Sequence, residues 1–187
     1  MVMNLLFLAL GYILGSLPIA YLVAKARGVD VFSTGTRNPG AANVFRKIGR
    51  GPGVAVLLGD VLKGAAPVAA AQIADVPTWW AFAAGLAALA GHWYPLFLRF
   101  RGGAGLATAI GVGYALMPLP ALLATPPALA WLAWRRDTGT TAALGFTVLF
   151  LAVLLLKEPL PLALAICALP GLALARERLL PKLGAKG

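Results

Sequence analysis

The sequence predicts an all-α fold: a polytopic integral membrane helical bundle of about seven transmembrane or partly re-entrant helices, forming one domain over residues 1–187. Three observations predict it. The chain is 60% hydrophobic and 12% charged, with a mean hydropathy of +0.86, against roughly 25% charged residues in an average soluble domain. Its apolar residues fall in runs that reach the roughly 20 residues needed to cross a bilayer. Its net charge is nevertheless +10, and that charge sits between the runs. These features exclude a soluble globular domain, a disordered chain and a disulfide scaffold. Cys167 lies in an apolar run and carries no redox information. Basic charge alone suits nucleic acid, but apolar runs of this length do not, so no nucleic-acid partner is expected.

The first run, 2–24, is interrupted only by Asn4, Gly11, Tyr12, Gly15, Ser16 and Pro18. No Lys or Arg precedes it and it is too long for a signal-peptide core, so it reads as a retained span. The second, 52–73, carries Asp60 and Lys63; the third, 79–98, opens on Trp79 and Trp80. The stretch 104–134 breaks at Met117-Pro118-Leu119-Pro120. It reads as two short helices or as one helix plus a re-entrant piece, because a helix over 104–117 would reach only about 21 Å, short of the roughly 30 Å core. The last runs, 140–156 and 159–175, are separated by Lys157 and Glu158. Five spans with two re-entrant pieces is the alternative count.

With seven spans and the N-terminus outside, segments 25–51, 99–103, 135–139 and 176–187 lie inside, and so does the C-terminus. They hold every one of the 16 basic residues except Lys63, within a span, and Lys157, outside. Such a bias sets orientation. Trp79 and Trp80 at the outer edge, and Trp131 and Trp134 at the inner edge, suit aromatic belts. Most of the basic residues, Lys25, Arg27, Arg135 and Arg136 above all, need no role beyond this.

Three glycine-rich polar patches run toward that inner face. The first, 30–46, supplies hydroxyls, amides and guanidiniums among Gly35, Gly40 and neighbouring small residues. Glycines let backbone N–H groups converge on an anion, and arginine adds bidentate contacts to phosphate. The same composition also describes a surface turn. The second patch is Gly59 to Gly64, where Asp60 and Lys63 share a helix face. Ionisable residues in a span are functional candidates, or a mutually neutralising pair. The third, Gly91 to Thr108, contains the only histidine, His92, and places Arg101-Gly102-Gly103 before a helix expected to start near Ala104. A lone histidine there also suits a structural hydrogen bond.

Together the patches resemble the bacterial acyl-phosphate:glycerol-3-phosphate acyltransferase family. Its N-terminal Gly-Ser-x-Pro is matched by Gly15-Ser16-Leu17-Pro18. Its first motif, Gly-Ser-Gly-Asn-x-Gly-Ala-Thr-Asn with a following arginine, is matched by Gly35-Thr36-Arg37-Asn38-Pro39-Gly40-Ala41-Ala42-Asn43 and Arg46. Asp60, Lys63 and Gly64 match its Asp-x-x-Lys-Gly. Its second motif, Gly-His-x-x-Pro-x-Phe-Leu-x-Phe-Lys-Gly-Gly-Lys-Gly-x-Ala-Thr, is matched from Gly91 to Thr108. The chain departs from the pattern at Thr36, Arg37, Ala42, Arg101 and Ala104, which stand for Ser, Gly, Thr, Lys and Lys. The C-terminal motif is reduced to residues 176–184, without its Asn and Glu.

The resemblance implies acyl transfer from acyl phosphate to the 1-hydroxyl of glycerol 3-phosphate, giving lysophosphatidate and phosphate in a bacterial inner membrane, with the active face cytoplasmic. Both substrates and membrane lipid are the expected partners; no metal or other cofactor is expected. It implies catalytic roles for Thr36, Asn38, Arg46 and His92. Substrate binding falls to Arg37, Gly40, Asn43, Lys63, Arg101, Gly102, Gly103 and Gly105. The sequence contains no Ser-His-Asp arrangement, so Thr36 is expected to hydrogen-bond substrate, with substrate phosphate as the base. Arg37 is a candidate replacement for the lysine absent at Ala104. A weakened paralogue that binds acyl phosphate or lipid, and a small transporter, are the alternatives. Transporters often carry internal repeats, and none is evident here.

Overall fold

The computed structural model describes the backbone of residues 1–179 and the side chains through Arg176. Most of the reduced C-terminal motif, with Lys182 and Lys186, lies outside the described residues. The described chain is all-helical. Its elements are α1 (Val2–Gly15), α2 (Ile19–Lys25), α3 (Ala41–Lys47), α4 (Arg50–Ile73), α5 (Thr78–Trp93), a 3-10 turn (Leu96–Leu98), α6 (Leu106–Leu116), α7 (Pro118–Arg135), α8 (Thr138–Leu156) and α9 (Leu160–Leu179). Val2–Lys25, Arg50–Ile73, Thr78–Leu98 and Thr138–Leu156 are each long and apolar enough to cross a bilayer. Helix α6 is a shorter apolar element, and α9 packs against it.

Proline and glycine set the breaks. Pro18 has no N–H to donate, so the first run parts into α1 and α2, and the Leu17 carbonyl turns to accept from Ile19 N at 3.0 Å. The 104–134 stretch resolves into two helices meeting at Met117. The expected start of α6 near Ala104 is corrected to Leu106, because Gly105 holds a left-handed φ of +90° that a helix does not continue through. The long 25–51 segment, read as a loop, contains α3.

Helix α4 is the hub, packing against α1, α2, α3, α5 and α6. Its interface with α6, and another between α1 and α5, are made by backbone rather than by large side chains. A methyl group added at Gly11 or Gly15 would collide with the carbonyls of Ala84 or Ala88 on α5. One added at Gly64 would meet the Thr108 carbonyl on α6, and one at Gly111 of α6 would meet the Val61 carbonyl on α4. Lipid offers helices no hydrophobic drive to associate, so close backbone contact is what holds such pairs. Around these contacts Val68, Leu89, Val112, Val153 and Ile166 form the main buried core. The hairpin of α7 and α8 turns on Asp137, which caps α8 by accepting from Gly139 N and Thr140 N.

Gly15→Ala is expected to cost about 1–3 kcal/mol through overpacking, read as a lower melting temperature in detergent, while Gly51→Ala, with open space around it, leaves melting unchanged. Asp137 gives a pH signature. The Thr140 hydroxyl and N–H, and then Gly139 N–H, hold its carboxyl below the ordinary value. The cap therefore stabilises above the ordinary carboxylate range and is lost as pH falls through the lowered value. Asp137→Ala should lower the melting temperature at pH 7, with the deficit vanishing in acid.

Candidate active site

The i,i+3 spacing in α4 brings Asp60 and Lys63 onto one face, with Lys63 Nζ 2.7 Å from Asp60 Oδ1. Both are buried, 2% and 6% exposed. Lys63 Nζ also donates to the Leu17 carbonyl at 3.0 Å, the group turned out by the break at Pro18. In α5, His92 Nδ1 lies 3.7 Å from Asp60 Oδ1 and shares a hydrogen bond of 3.2 Å with the Thr108 hydroxyl on α6. His92 Nε2 is buried and has no hydrogen-bond partner among the described residues. It is aimed at Gly103, where an added methyl carbon would sit 2.6 Å from Nε2, 2.7 Å from the Pro39 carbonyl and 3.1 Å from Asn38 Oδ1. Gly103 is thus where the first and third glycine-rich patches touch.

A small, partly open pocket lies at this junction. Its wall includes Leu17, Pro39, Asp60, Lys63, His92, Gly102 and Gly103. The sequence expectation that separate glycine-rich elements converge is met by geometry: each patch contributes to one wall.

The first loop is held by Asn43. Its Oδ1 accepts from Thr36 N and its Nδ2 donates to the Thr34 carbonyl, both at 3.0 Å. Gly35 permits this, since its φ is +61° and a side chain there would strike Asn43 Oδ1. The Asn43 amide, expected to bind substrate, is engaged in shaping the loop. Thr36, Arg37 and Arg46 are exposed and outside the pocket wall. Arg37 has a φ of 59°, a left-handed conformation that glycine adopts freely, and the family pattern has glycine there. Arg46 Nε bonds to the Ala42 carbonyl of its own helix at 3.1 Å. Gly40 stands at the start of α3.

The second loop turns through Arg99 and Phe100, both left-handed. Arg101 is exposed, and its guanidinium stacks on the Phe32 ring at 4.7 Å. It bridges the two loops and does not line the pocket. Gly102 presses on the carbonyls of His92 and Trp93 so closely that no side chain fits. Gly105, the residue before α6, is buried against Leu89 and Trp93. Trp93 Nε1 donates to the Ala104 carbonyl at 2.7 Å. Arg176 of α9 donates to the Gly103 and Trp93 carbonyls, each at 2.6 Å, with its guanidinium over the Tyr94 ring.

Of the residues singled out in the sequence, the fold brings Lys63, His92, Gly102 and Gly103 to one pocket, with Asn38 beside Gly103. Sequence reasoning passed over Trp93, Thr108 and Arg176. Arg176 was counted as an orienting charge and as the start of the reduced C-terminal motif, with no role in the site assigned to it.

A profile of the family described as glycerol-3-phosphate acyltransferase matches residues 5–178. A glycerol-3-phosphate acyltransferase of Geobacter metallireducens is 50% identical over 123 residues, 66% of this chain and 63% of that relative, so the match spans just under two thirds of its length. One of Geotalea daltonii is 42% identical over 156 residues, 83% of this chain and 80% of the relative. Among solved structures, the crystal structure of PlsY (YgiH), described as an integral membrane glycerol 3-phosphate acyltransferase in its glycerol 3-phosphate form, superposes with a TM-score of 0.81 at 34% identity, covering 94% of this chain and 90% of that one. The corresponding lysophosphatidic acid form gives the same score at 33% identity, covering 94% and 88%. The chain belongs to the glycerol-3-phosphate acyltransferase family of integral membrane proteins.

Proposed function

We propose that this chain transfers an acyl group from an acyl phosphate to the 1-hydroxyl of glycerol 3-phosphate, releasing lysophosphatidate and inorganic phosphate at the start of phospholipid synthesis. The observation that carries the reading is the buried His92 Nε2 aimed at Gly103 in a pocket that also holds the Lys63 ammonium and the Gly102 backbone. Family membership favours acyl transfer over transport or mere lipid binding. The PlsY forms named for glycerol 3-phosphate and lysophosphatidic acid are those of a relative, and they name one substrate and the product of this reaction.

In the proposed reaction the substrate oxygen attacks the acyl carbon, a C–O bond forms, and the bond from the acyl carbon to the phosphate oxygen breaks. The proton of the attacking hydroxyl leaves with the phosphate, which serves as base. Negative charge builds on the carbonyl oxygen, and preoriented N–H groups and a cation stabilise it at little reorganisation cost. Phosphate is a competent leaving group, so holding both substrates in line supplies much of the rate. Lys63, His92 Nε2, Asn38 and the Gly102–Gly103 backbone are the groups proposed to meet the substrates. The apolar tail of the donor stays in lipid.

The proposed setting is a bacterial inner membrane, with the chain as one integral membrane domain, N-terminus outside and active face cytoplasmic. The segregation of basic residues, which leaves only Lys157 outside and Lys63 in a span, supports that orientation.

The purified protein in lipid, given acyl phosphate and glycerol 3-phosphate, should form lysophosphatidate and phosphate in equal amounts; lysophosphatidate no higher than in a protein-free control overturns the proposal. Lys63→Met leaves Asp60 buried and unpaired, a loss of about 3–5 kcal/mol. The double variant Asp60→Asn, Lys63→Met removes both charges and should recover folded yield and melting temperature without recovering turnover. Recovered turnover would reduce Lys63 to a neutralising partner of Asp60.

A further inference from the structure

We propose that Arg176 is a positioning residue for this acyl transfer, acting on the backbone of the Gly102–Gly105 loop and not on substrate. The inference rests on the reading of the pocket given above. Arg176 does not line the pocket, whereas Gly102 and Gly103 do. Its guanidinium reaches instead to two carbonyls, of Gly103 and Trp93, each at 2.6 Å. The planar fork of arginine suits such a paired contact, and the fixed geometry leaves little freedom to either carbonyl. Tyr94 lies under the guanidinium at 5.1 Å and steadies it.

The consequence follows from peptide geometry. A trans peptide unit is planar, with its C=O and N–H pointing to opposite sides. Binding the Gly103 carbonyl to Arg176 therefore turns the Ala104 N–H away from Arg176. The next carbonyl, of Ala104, is bound by the Trp93 indole at 2.7 Å, which aims the Gly105 N–H in the same indirect way. Two consecutive peptide units are thus fixed through their carbonyls, in a loop whose glycines would otherwise leave it free to rotate. Gly102 packs against the carbonyls of His92 and Trp93, so the loop, the end of α5 and the end of α9 move as one piece. A group that presents N–H donors to a substrate phosphate gains from such ordering, because the donors need not reorganise on binding.

The test compares wild type with Arg176→Gln and Arg176→Lys in lipid, by steady-state kinetics on both substrates and by hydrogen–deuterium exchange over residues 93–108. Arg176→Gln should raise the KM of the phosphate-bearing substrate seated on the loop by about ten- to a hundredfold, in keeping with misplacement on the ångström scale. Deuterium uptake should rise in 93–108 and not in α8. Arg176→Lys, which keeps the charge and one contact, should fall between. Measuring the two KM values separately tells whether glycerol 3-phosphate or acyl phosphate occupies the loop. A fall in kcat that follows only the folded fraction, with both KM values and the exchange unchanged, overturns the proposal. If Arg176→Gln does not fold, Arg176→Lys and Trp93→Phe carry the same test. A wild type without turnover would remove the acyl-transfer reading, and the exchange comparison would still decide whether Arg176 holds the loop.

Discussion

An ammonium group placed among apolar helices must be matched where it stands, and the arrangement around Lys63 follows from that requirement. Charges within a bilayer cost at least about 2.5–3.5 kcal/mol when unmatched. Lys63 is matched twice, by the Asp60 carboxylate one helical turn away and by the Leu17 carbonyl. The second partner exists only because Pro18 interrupts the first span. One buried charge thus ties the middle of α4 to the break between α1 and α2. Asp60 then lies within 3.7 Å of His92 on α5, and His92 meets Thr108 on α6. A short chain of polar contacts links the α1–α2 break to α4, α5 and α6, and the pocket opens beside it.

Such a chain is possible only where helices approach closely. The close approach comes from the same residues. Gly64 of α4 rests on the backbone of Thr108, whose hydroxyl holds His92. Gly91, next to His92, rests on the carbonyl of Tyr12 in α1, and Gly15 rests on Ala88 in α5. The small-residue interfaces and the polar contacts are therefore one structure. A larger residue at any of these glycines would separate the helices and lengthen the hydrogen bonds with them.

This coupling explains which parts of the fold were legible in the sequence. Long spans could be read because crossing a bilayer fixes a length of about 20 apolar residues, and the prolines from Pro118 to Pro120 marked the α6–α7 break. Helix α3 could not be read. It is short, sits in a polar segment and is held by packing Phe45 against Gly53 of α4, a tertiary contact with no local signature. Asn43 shows the same limit within the site. An amide among glycines and hydroxyls can bind a ligand or fasten its own loop, and both uses need the same residue at the same spacing. The start of α6 was misplaced because nothing in Gly103-Ala104-Gly105 says which residue turns left-handed. Arg176 could be read as an orienting charge and as the start of the reduced C-terminal motif, but neither reading says that its guanidinium reaches the carbonyls of Trp93 and Gly103.

The position of cations around the second loop bears on how that loop works. The family pattern carries a lysine where this chain has Ala104, and Arg101 is engaged with Phe32. Neither Arg99 nor Arg101 lines the pocket, so what the loop presents there is the backbone of Gly102 and Gly103. Backbone donors are weaker than ammonium groups one by one, and their value depends on being aimed before the ligand arrives. The loop is fastened to that end at successive points: Gly102 against the end of α5, the Trp93 indole on the Ala104 carbonyl, and Arg176 on the Gly103 carbonyl. A cation at position 104 would add attraction. A cation at Arg176 adds order, and order is what lets backbone donors act without reorganising when a ligand arrives.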